Sequence, residues 1–300
     1  MINSIRAFSL PELTNLEIPK RELIFDPFLP TQGQMEIFAA AGIGKTTLAL
    51  SLALAAATGS DFMSWKVSKP YKVLYLDGEM AASDMKERTV AAAKYFDTPP
   101  ENIDNFKILS GDLNSGSLPD IGSFAGQLEY ADEFAWADLI VLDNISCLWH
   151  SGRENDADAW TVVRSWLSEL KSAGKSVILV HHAGKTGTSR GSSRRHDSLD
   201  TVMKLERPNS YSQSDGSVFE VHFEKSRGFA GDAAEPIGLQ HSIIEGVSCW
   251  SKFSVSDEKL EQVANLVLEG MAQTDIASAL NISQGEVSKR KKRAVSKGLL

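Results

Sequence analysis

The sequence predicts an α/β fold with a mainly parallel sheet, followed by antiparallel strands and a small all-α unit. Short apolar runs alternate with helix-period segments up to about residue 180, alternating apolar and polar residues follow, and 257–300 shows helical patterns only. Strands that alternate with helices are typical of a parallel sheet covered on both faces.

The parallel part is predicted from buried apolar runs and the helices between them. The runs are Met35–Phe38, Val73–Leu76, Phe106–Leu109, Leu139–Leu142 and Val177–Val180. Helical spacing covers Thr46–Ala57, Ser83–Tyr95, Phe124–Phe134 and Asp158–Ala173.

After Val180 the pattern changes to that of antiparallel strands. These are predicted over Thr201–Glu206, Ser217–Lys225 and Ile237–Ile244, with a turn at Ser214–Gly216. A break near Ser251–Ser256 predicts a separate tail. We therefore expect an N-terminal segment (1–26), a core (27–252) and a helical tail (257–300).

Composition excludes several classes of protein. Hydrophobic residues make up 42% and charged residues 23%, as in soluble globular chains rather than disordered or fibrous ones. The two cysteines are too few for a disulfide framework, and no apolar run reaches the roughly 18 residues of a membrane span. We expect a cytoplasmic protein without a membrane partner. The chain carries a net charge of -8, yet basic residues cluster near its end.

The sharpest motif runs from Ala39 to Thr46, between a predicted strand and a predicted helix. Glycines at 42 and 44 let successive backbone N–H groups face phosphate oxygens at a helix N-terminus, and Lys45 can reach the β- and γ-phosphates. The first glycine of the pattern is alanine here, at a cost of about 1 kcal/mol if the position needs unusual dihedral angles. The predicted nucleotide-binding residues are Ala41, Gly42, Ile43, Gly44, Lys45, Thr46 and Thr47.

A carboxylate at a strand tip completes the predicted metal site. The apolar run 139–142 is followed by Asp143. Thr46 stands at the start of the helix that follows the phosphate-binding loop (P-loop). In P-loop enzymes these two groups hold Mg²⁺ beside the phosphates. ATP and Mg²⁺ are therefore the expected ligands.

Hydrolysis also needs a group that orients and deprotonates water. Asn144 stands where many P-loop enzymes have a glutamate, so the candidate is Glu79, just beyond the strand 73–76. Asp77 is a competitor, although its place nearer the strand favours a structural role. Helix capping is the alternative role of Glu79.

Together these motifs, with His181-His182 after the fourth helix–strand unit, resemble the RecA-type ATPase core. The string His181-His182-Ala183-Gly184-Lys185 followed by Arg190-Gly191-Ser192-Ser193 is similar to the RepA-type hexameric helicases of plasmids and phages, over roughly residues 20–250. The resemblance implies a RecA-like fold and a hexameric ring that translocates on single-stranded DNA by ATP hydrolysis. It implies that His182, or less favourably His181, senses the γ-phosphate.

The same resemblance gives a role to two basic residues at the end of a predicted strand. In RecA-type rings a Lys-x-Arg pair reaches the nucleotide of the neighbouring subunit, which makes Arg227 the expected arginine finger and Lys225 its partner. Two solvated strand-end charges are the alternative. If the pair is functional, the protein must be a homo-oligomer. By analogy with such rings, the segment 1–26 is expected to latch onto a neighbouring subunit, and folding on its own subunit is the alternative.

Two segments are predicted to bind DNA. The Gly- and Ser-rich loop 183–197 lacks aromatic residues for base stacking, but it carries Lys185, Arg190, Arg194 and Arg195. The tail resembles a helix-turn-helix, with its last helix capped by Ser283 and its second by Thr274. Its expected duplex contacts are Gln284, Ser288, Lys289, Arg290, Lys292 and Arg293. A protein-interaction module is the alternative for the tail.

The leading hypothesis from the sequence is a Mg²⁺-dependent ATPase that forms a ring and unwinds DNA as a replicative helicase of the RepA type. The alternative is an ATP-regulated, oligomeric DNA-binding regulator that uses the helix-turn-helix without unwinding. A recombination-type ATPase that forms filaments is a third reading.

Overall fold

The computed structural model of the chain describes residues 6–114, 116–151, 157–184, 193–209, 211–296 and 298–300. Its strands are β1 (Leu23–Asp26), β2 (Leu29–Pro30), β3 (Gln34–Ala39), β4 (Lys66–Val67), β5 (Val73–Asp77), β6 (Phe106–Ser110), β7 (Leu139–Asp143), β8 (Ser176–His182), β9 (Thr201–Glu206), β10 (Ser217–Ser226), β11 (Ile237–Ile244) and β12 (Val247–Ser254). Its α-helices are α1 (Leu10–Thr14), α2 (Lys45–Thr58), α3 (Ala82–Tyr95), α4 (Phe124–Glu129), α5 (Ala131–Trp136), α6 (Ile145–Leu148), α7 (Ala157–Ser172), α8 (Val255–Leu268), α9 (Gln273–Ala279) and α10 (Gln284–Ser296).

A nine-stranded sheet organises the body in the order β12-β11-β10-β9-β3-β8-β7-β5-β6. Strands β9, β3, β8, β7, β5 and β6 run parallel to one another, and β10, β11 and β12 extend the sheet in antiparallel fashion. The predicted mixed α/β fold with a mainly parallel sheet is therefore confirmed. All five apolar runs are strands; β5 and β7 are buried at every position, as suits a strand covered on both faces, whereas the edge strand β6 carries the exposed Lys107.

Two hydrophobic layers hold the helices against this sheet. Helix α2 packs on one face with Ile37 and Val141, and its mostly small and aliphatic residues are buried almost all round. Helix α7 packs on the other face, where Val163 and Leu167 meet Phe38. Because the side chains of successive strand residues point to opposite faces of the sheet, Ile37 and Phe38 lie in different hydrophobic layers.

Two of the predicted elements differ from the structure. The helix expected over Phe124–Phe134 is two helices, α4 and α5, which meet at Tyr130. The Tyr130 ring is buried against Phe134, and its hydroxyl donates to the carbonyl of Pro119 at 2.7 Å. The strand Thr201–Glu206, expected to be antiparallel, is parallel to β3 and antiparallel only to β10.

The N-terminal boundary also differs from the expected one. Strand β1 precedes Pro27 and forms a small antiparallel sheet with β2 and β4, in which Ile24 and Phe25 are buried. The body thus starts near residue 23. Helix α1 lies upstream and is fully exposed, with a capping box between Ser9 and Glu12.

The tail is a three-helix unit with its own small core. Val263, Ile276 and Val287 pack together, and Leu260, Ala264 and Ala294 form a second cluster. Within the break expected near Ser251–Ser256, β12 ends at Ser254 and α8 begins directly at Val255. Thr274 is also not a cap, because α9 begins one residue earlier, at Gln273. Among the described residues, no helix combines the length and apolar character that a membrane span requires.

Candidate nucleotide site

The register of the parallel strands brings four predicted site segments to one edge of the sheet. Ala39 at the end of β3 lies opposite His182 of β8, and Asp143 of β7 lies opposite Asp77 of β5. Because β8 and β7 are neighbours, these strand ends form one continuous edge. Ligands of open α/β sheets bind outside such carboxyl ends.

The P-loop backbone turns between β3 and α2 in a conformation that only glycine accepts at position 44. Gly44 has a φ of 126°, and a Cβ there would come within 2.7 Å of the Phe219 ring. Ala39 is the last residue of β3, in regular pairing with His182. An alanine therefore fits at the first position of the motif without a backbone penalty.

Lys45 lies folded onto the loop that it would use to bind phosphate. Its Nζ donates to the carbonyl oxygens of Ala39 (3.2 Å) and Ala40 (3.0 Å) and lies 3.3 Å from Nδ1 of His182. Burial lowers the pKa of Lys45, and the carboxylates of Asp143 and Glu79 oppose that shift. A triphosphate in the cleft would supply the negative charge that this buried ammonium lacks.

Asp143 lies at the floor of the cleft and shares a hydrogen-bond network with Thr46 and Tyr75. The Tyr75 hydroxyl donates to Asp143 Oδ2 at 2.5 Å, and the Thr46 hydroxyl bonds the same carboxylate. Burial raises the pKa of Asp143 to about 6, against the effect of these two bonds. Tyr75 was not predicted, because a tyrosine within an apolar run reads as core.

The donor set of this network fits Mg²⁺. Mg²⁺ prefers oxygen ligands and usually takes one or two protein groups together with phosphate oxygens and water, which matches the hydroxyl of Thr46 and the carboxylate of Asp143. Within the described part of the chain, no group of three or more His, Cys, Asp or Glu residues could hold a metal by itself. Bound there, Mg²⁺ would neutralise charge on the β- and γ-phosphates.

The two acidic candidates after β5 occupy different surroundings. Glu79 lines the cleft, and its side chain is 56% exposed. Asp77 is buried and accepts bonds from the backbone N–H groups of Glu79 (3.3 Å) and Met80 (3.2 Å), which fixes the turn. Burial raises the pKa of Asp77. This geometry favours Glu79 for contact with water and Asp77 for a structural role.

The two histidines at the end of β8 also differ. His182 lines the cleft beside Lys45, whereas the His181 side chain is buried and its Nδ1 lies 2.7 Å from the His182 carbonyl oxygen. The backbone alternation of a strand sends neighbouring side chains to opposite faces. Of the pair, His182 is the one whose side chain lines the cleft.

Three further residues in or beside the cleft belong to no recognisable sequence motif and were not predicted. Arg88 of α3 and Ser217 of β10 line it. Arg207 lies behind the P-loop, where its guanidinium donates to Gly42 O (3.0 Å) and to Val218 O (2.6 Å). These residues come from segments far apart in the chain, so only the tertiary structure brings them together.

Lys225 and Arg227 lie near the N-terminal ends of β3 and β9, whereas the P-loop of the same chain lies at the carboxyl end of β3. Ser226 pairs with Thr201, and Thr201 with Met35 near the start of β3. The P-loop begins after Ala39, about 13 Å further along that strand. Lys225 and Arg227 both donate to the Asp197 carbonyl at 3.2 Å. Burial, followed by the charge of Arg227, lowers the pKa of Lys225.

The predicted DNA-binding residues fall in two places. Lys185 and Arg190 lie outside the described residues, and the backbone of Arg194 and Arg195 lies in a short 3₁₀ segment, Ser193–Ser198. In the tail, Gln284, Lys289, Lys292 and Arg293 are exposed on α10, and Ser288 is half-buried beside them.

The third helix of the tail shows one internal ion pair and the predicted cap. Arg290 Nε lies 3.0 Å from Glu286 Oε1, so this arginine is partly engaged within its own helix. The Ser283 hydroxyl accepts a bond from the N–H of Glu286 at 3.1 Å, as predicted from the sequence.

Comparisons with known proteins place the chain in a family and identify similar folds. A family model described as "AAA domain" matches residues 6–188. The fold superposes on the flagellar accessory protein FlaH from Methanocaldococcus jannaschii (TM-score 0.50, 12% identity, 74% of this chain and 90% of that one). It also superposes on a KaiC-like protein from Pyrococcus horikoshii OT3 (TM-score 0.51, 14% identity, 77% of this chain and 99% of that one). At these identities the likeness shows the RecA-like P-loop fold. A comparison with curated proteins gives no match.

Proposed function

The chain belongs to the AAA domain family, a family of P-loop ATPases, and on that premise we propose that it hydrolyses Mg²⁺-ATP at sites shared between subunits of a ring and thereby moves along single-stranded DNA. The finer proposal is a replicative helicase of the RepA type, most simply a hexamer. The proposal of a site shared between subunits rests on one observation. Lys45 and Glu79 line one cleft, whereas Arg227 lies near the opposite ends of the strands in the same sheet.

In the proposed reaction, the residues of one cleft divide the work. The P-loop N–H groups and Lys45 bind the phosphates, while Thr46 and Asp143 hold Mg²⁺. Glu79 takes the proton of a water whose oxygen attacks the γ-phosphorus, and the bond to the β–γ bridging oxygen breaks with its electron pair going to ADP. Arg227 of the neighbouring subunit stabilises the charge on the transferring phosphoryl group.

Glu79→Gln is expected to retain ATP binding and to lose turnover. Glutamine preserves the size of the side chain but cannot accept the proton of water, and general-base catalysis contributes about 10²- to 10⁴-fold in rate. Equilibrium binding of a labelled ATP analogue and single-turnover hydrolysis measure the two effects. The matched control is Glu87→Gln on the exposed side of α3, which should hydrolyse like wild type. Normal turnover of Glu79→Gln would assign the base elsewhere.

Exposed apolar residues of the N-terminal segment support its proposed role as a latch. Phe8, Leu10, Leu13, Leu16 and Ile18 are all exposed, the last two on either side of Glu17. On the body, α4, α5 and α7 form an apolar groove in which Phe124 is 78% and Leu128 63% exposed. We propose that the segment 6–18 of one subunit docks in this groove of the next, so that both apolar surfaces are buried in the ring.

The basic residues support DNA as the partner. In this proposal Lys185, Arg190, Arg194 and Arg195 line the ring channel, and the exposed basic side of α10 contacts duplex phosphates. Unwinding of a forked duplex by the purified protein with ATP tests the helicase. ATP turnover stimulated by single strands without unwinding would favour the regulatory alternative, and electron micrographs of helices rather than closed rings would favour the filament.

Removal of residues 257–300 is expected to leave the basal ATPase rate within about twofold of wild type, because none of the residues that line the cleft belongs to the tail. The apolar clusters of the tail consist of tail residues alone, so their loss does not open the core of the body. Duplex-DNA binding should fall in the same variant. The control is Lys292→Ala in the full chain, which keeps the tail folded and should weaken duplex binding only. A collapse of basal hydrolysis on truncation would make the tail part of the ATPase.

A further inference from the structure

Asn144 is a buried residue that touches both sides of the candidate nucleotide site. It follows Asp143 at the end of β7 and is only 1% exposed. Its Oδ1 accepts a hydrogen bond from the backbone N–H of Cys147 at 3.1 Å, which makes it the N-cap of α6. This bond fixes the orientation of the amide, so that Nδ2 faces the cleft.

The Nδ2 group of Asn144 joins one residue from the turn after β5 and one from the end of β8. It donates a short hydrogen bond to Glu79 Oε2, and it lies 3.1 Å from Nε2 of His182. The direct separation between Glu79 Oε2 and His182 Nε2 is 3.7 Å, beyond hydrogen-bond distance. The amide therefore bridges a gap that the two side chains leave between them.

Glu79 benefits most from this bridge. Its side chain is more than half exposed and extends from the turn after β5, so it has rotamer freedom that a general base must lose. A donor anchored at the end of a buried strand restricts that freedom at little cost, because Asn144 is itself held by the cap of α6. A misplacement of a reacting group by 1 Å can cost about 10²-fold in rate.

We propose that Asn144 is a positioning residue for ATP hydrolysis: its amide holds the Glu79 carboxylate beside His182, in the orientation that accepts the proton of the attacking water. This role rests on the proposed function, in which Glu79 is the base. It assigns a function to Asn144, the residue directly after Asp143, which is the proposed Mg²⁺ ligand. Asn144 itself takes no proton and touches no reacting atom.

The test is Asn144→Ser in the full chain. Serine is as good an N-cap as asparagine, so it preserves the cap of α6, but its side chain is too short to bridge Glu79 and His182. We expect kcat to fall roughly 10- to 100-fold. KM and the affinity for a non-hydrolysable ATP analogue should stay near the wild-type values. In the background of Glu79→Gln the same change should cost nothing further, because residues that act as a unit are not additive.

Asn144→Ala separates positioning from capping. It removes both the bridge and the cap, so it should lose as much kcat as Asn144→Ser and in addition lower the Tm. Wild-type kcat in Asn144→Ser, or a loss that persists in full in the Glu79→Gln background, would overturn the positioning role alone. An inactive wild-type protein, or normal turnover of Glu79→Gln, would overturn the proposed function and this role with it.

Discussion

Lys45→Ala is expected to lower ATP hydrolysis by at least about 10²- to 10³-fold, the usual effect of removing one preorganised charge or donor from a transition state. Lys45 is the buried cation of the cleft, and its Nζ lies against two P-loop carbonyl oxygens and within 3.3 Å of His182. Without the Lys45 ammonium, the negative charge of bound β- and γ-phosphates is no longer balanced at this position. Steady-state phosphate release and binding of a labelled ATP analogue measure the loss.

Two controls accompany this variant. Lys252→Ala removes an exposed lysine on β12 and should hydrolyse ATP at the wild-type rate. Circular dichroism should show that Lys45→Ala is folded, because its loss removes contacts of one loop and leaves the two hydrophobic layers intact. Full hydrolysis by Lys45→Ala would show that the P-loop is not the nucleotide site.

Arg227→Ala is expected to cost about 10³- to 10⁵-fold in ATP hydrolysis, the range measured for arginine fingers. Its guanidinium lies at the sheet edge opposite to its own P-loop, so the loss should act on the neighbour's site. Activity should therefore return when Arg227→Ala is mixed with Lys45→Ala. In a randomly mixed ring, about one quarter of the interfaces would then pair an intact Lys45 with an intact Arg227.

The controls for the mixing experiment concern charge and shape. Arg164→Ala removes an exposed arginine from α7 and should leave both activity and mixing unaffected. Arg227→Lys keeps the charge but loses the planar fork of donors, so it should remain strongly impaired. If the mixed variants stay inactive while each still forms oligomers, the site is completed within one subunit and the shared-site proposal is wrong.

The parallel strands and their helices were predictable because their signals are local. A run such as 139–142 is apolar at every position, and a strand buried on both faces is the structure that accepts it. The P-loop was equally clear, since the glycines, Lys45 and Thr46 are contiguous in the chain. Local sequence did not reveal β12 or the small sheet of β1, β2 and β4. The small sheet was missed because β1 is short and pairs with β4 some 40 residues away.

The extension of β12 through Ser254 was missed for a related reason. Three of the six residues 251–256 are serines, which is typical of a linker, but pairing with β11 keeps Ser251 to Ser254 in the sheet. Tyr130 separates two helices whose apolar spacing continues through it, and its hydroxyl donates to the carbonyl of Pro119. For β12, pairing with a neighbouring strand overrides a local preference.

The sequence by itself supplied the candidate site residues: a loop suited to phosphate, a hydroxyl and a carboxylate suited to Mg²⁺, and a nearby glutamate, each encoded within a few adjacent residues. Only the tertiary structure decided which groups meet. It brought Asn144 between Glu79 and His182, set Arg207 behind Gly42, and separated Arg227 from its own P-loop. The physical reason is that strand order and register are fixed by packing across the whole sheet, and no short segment carries that information.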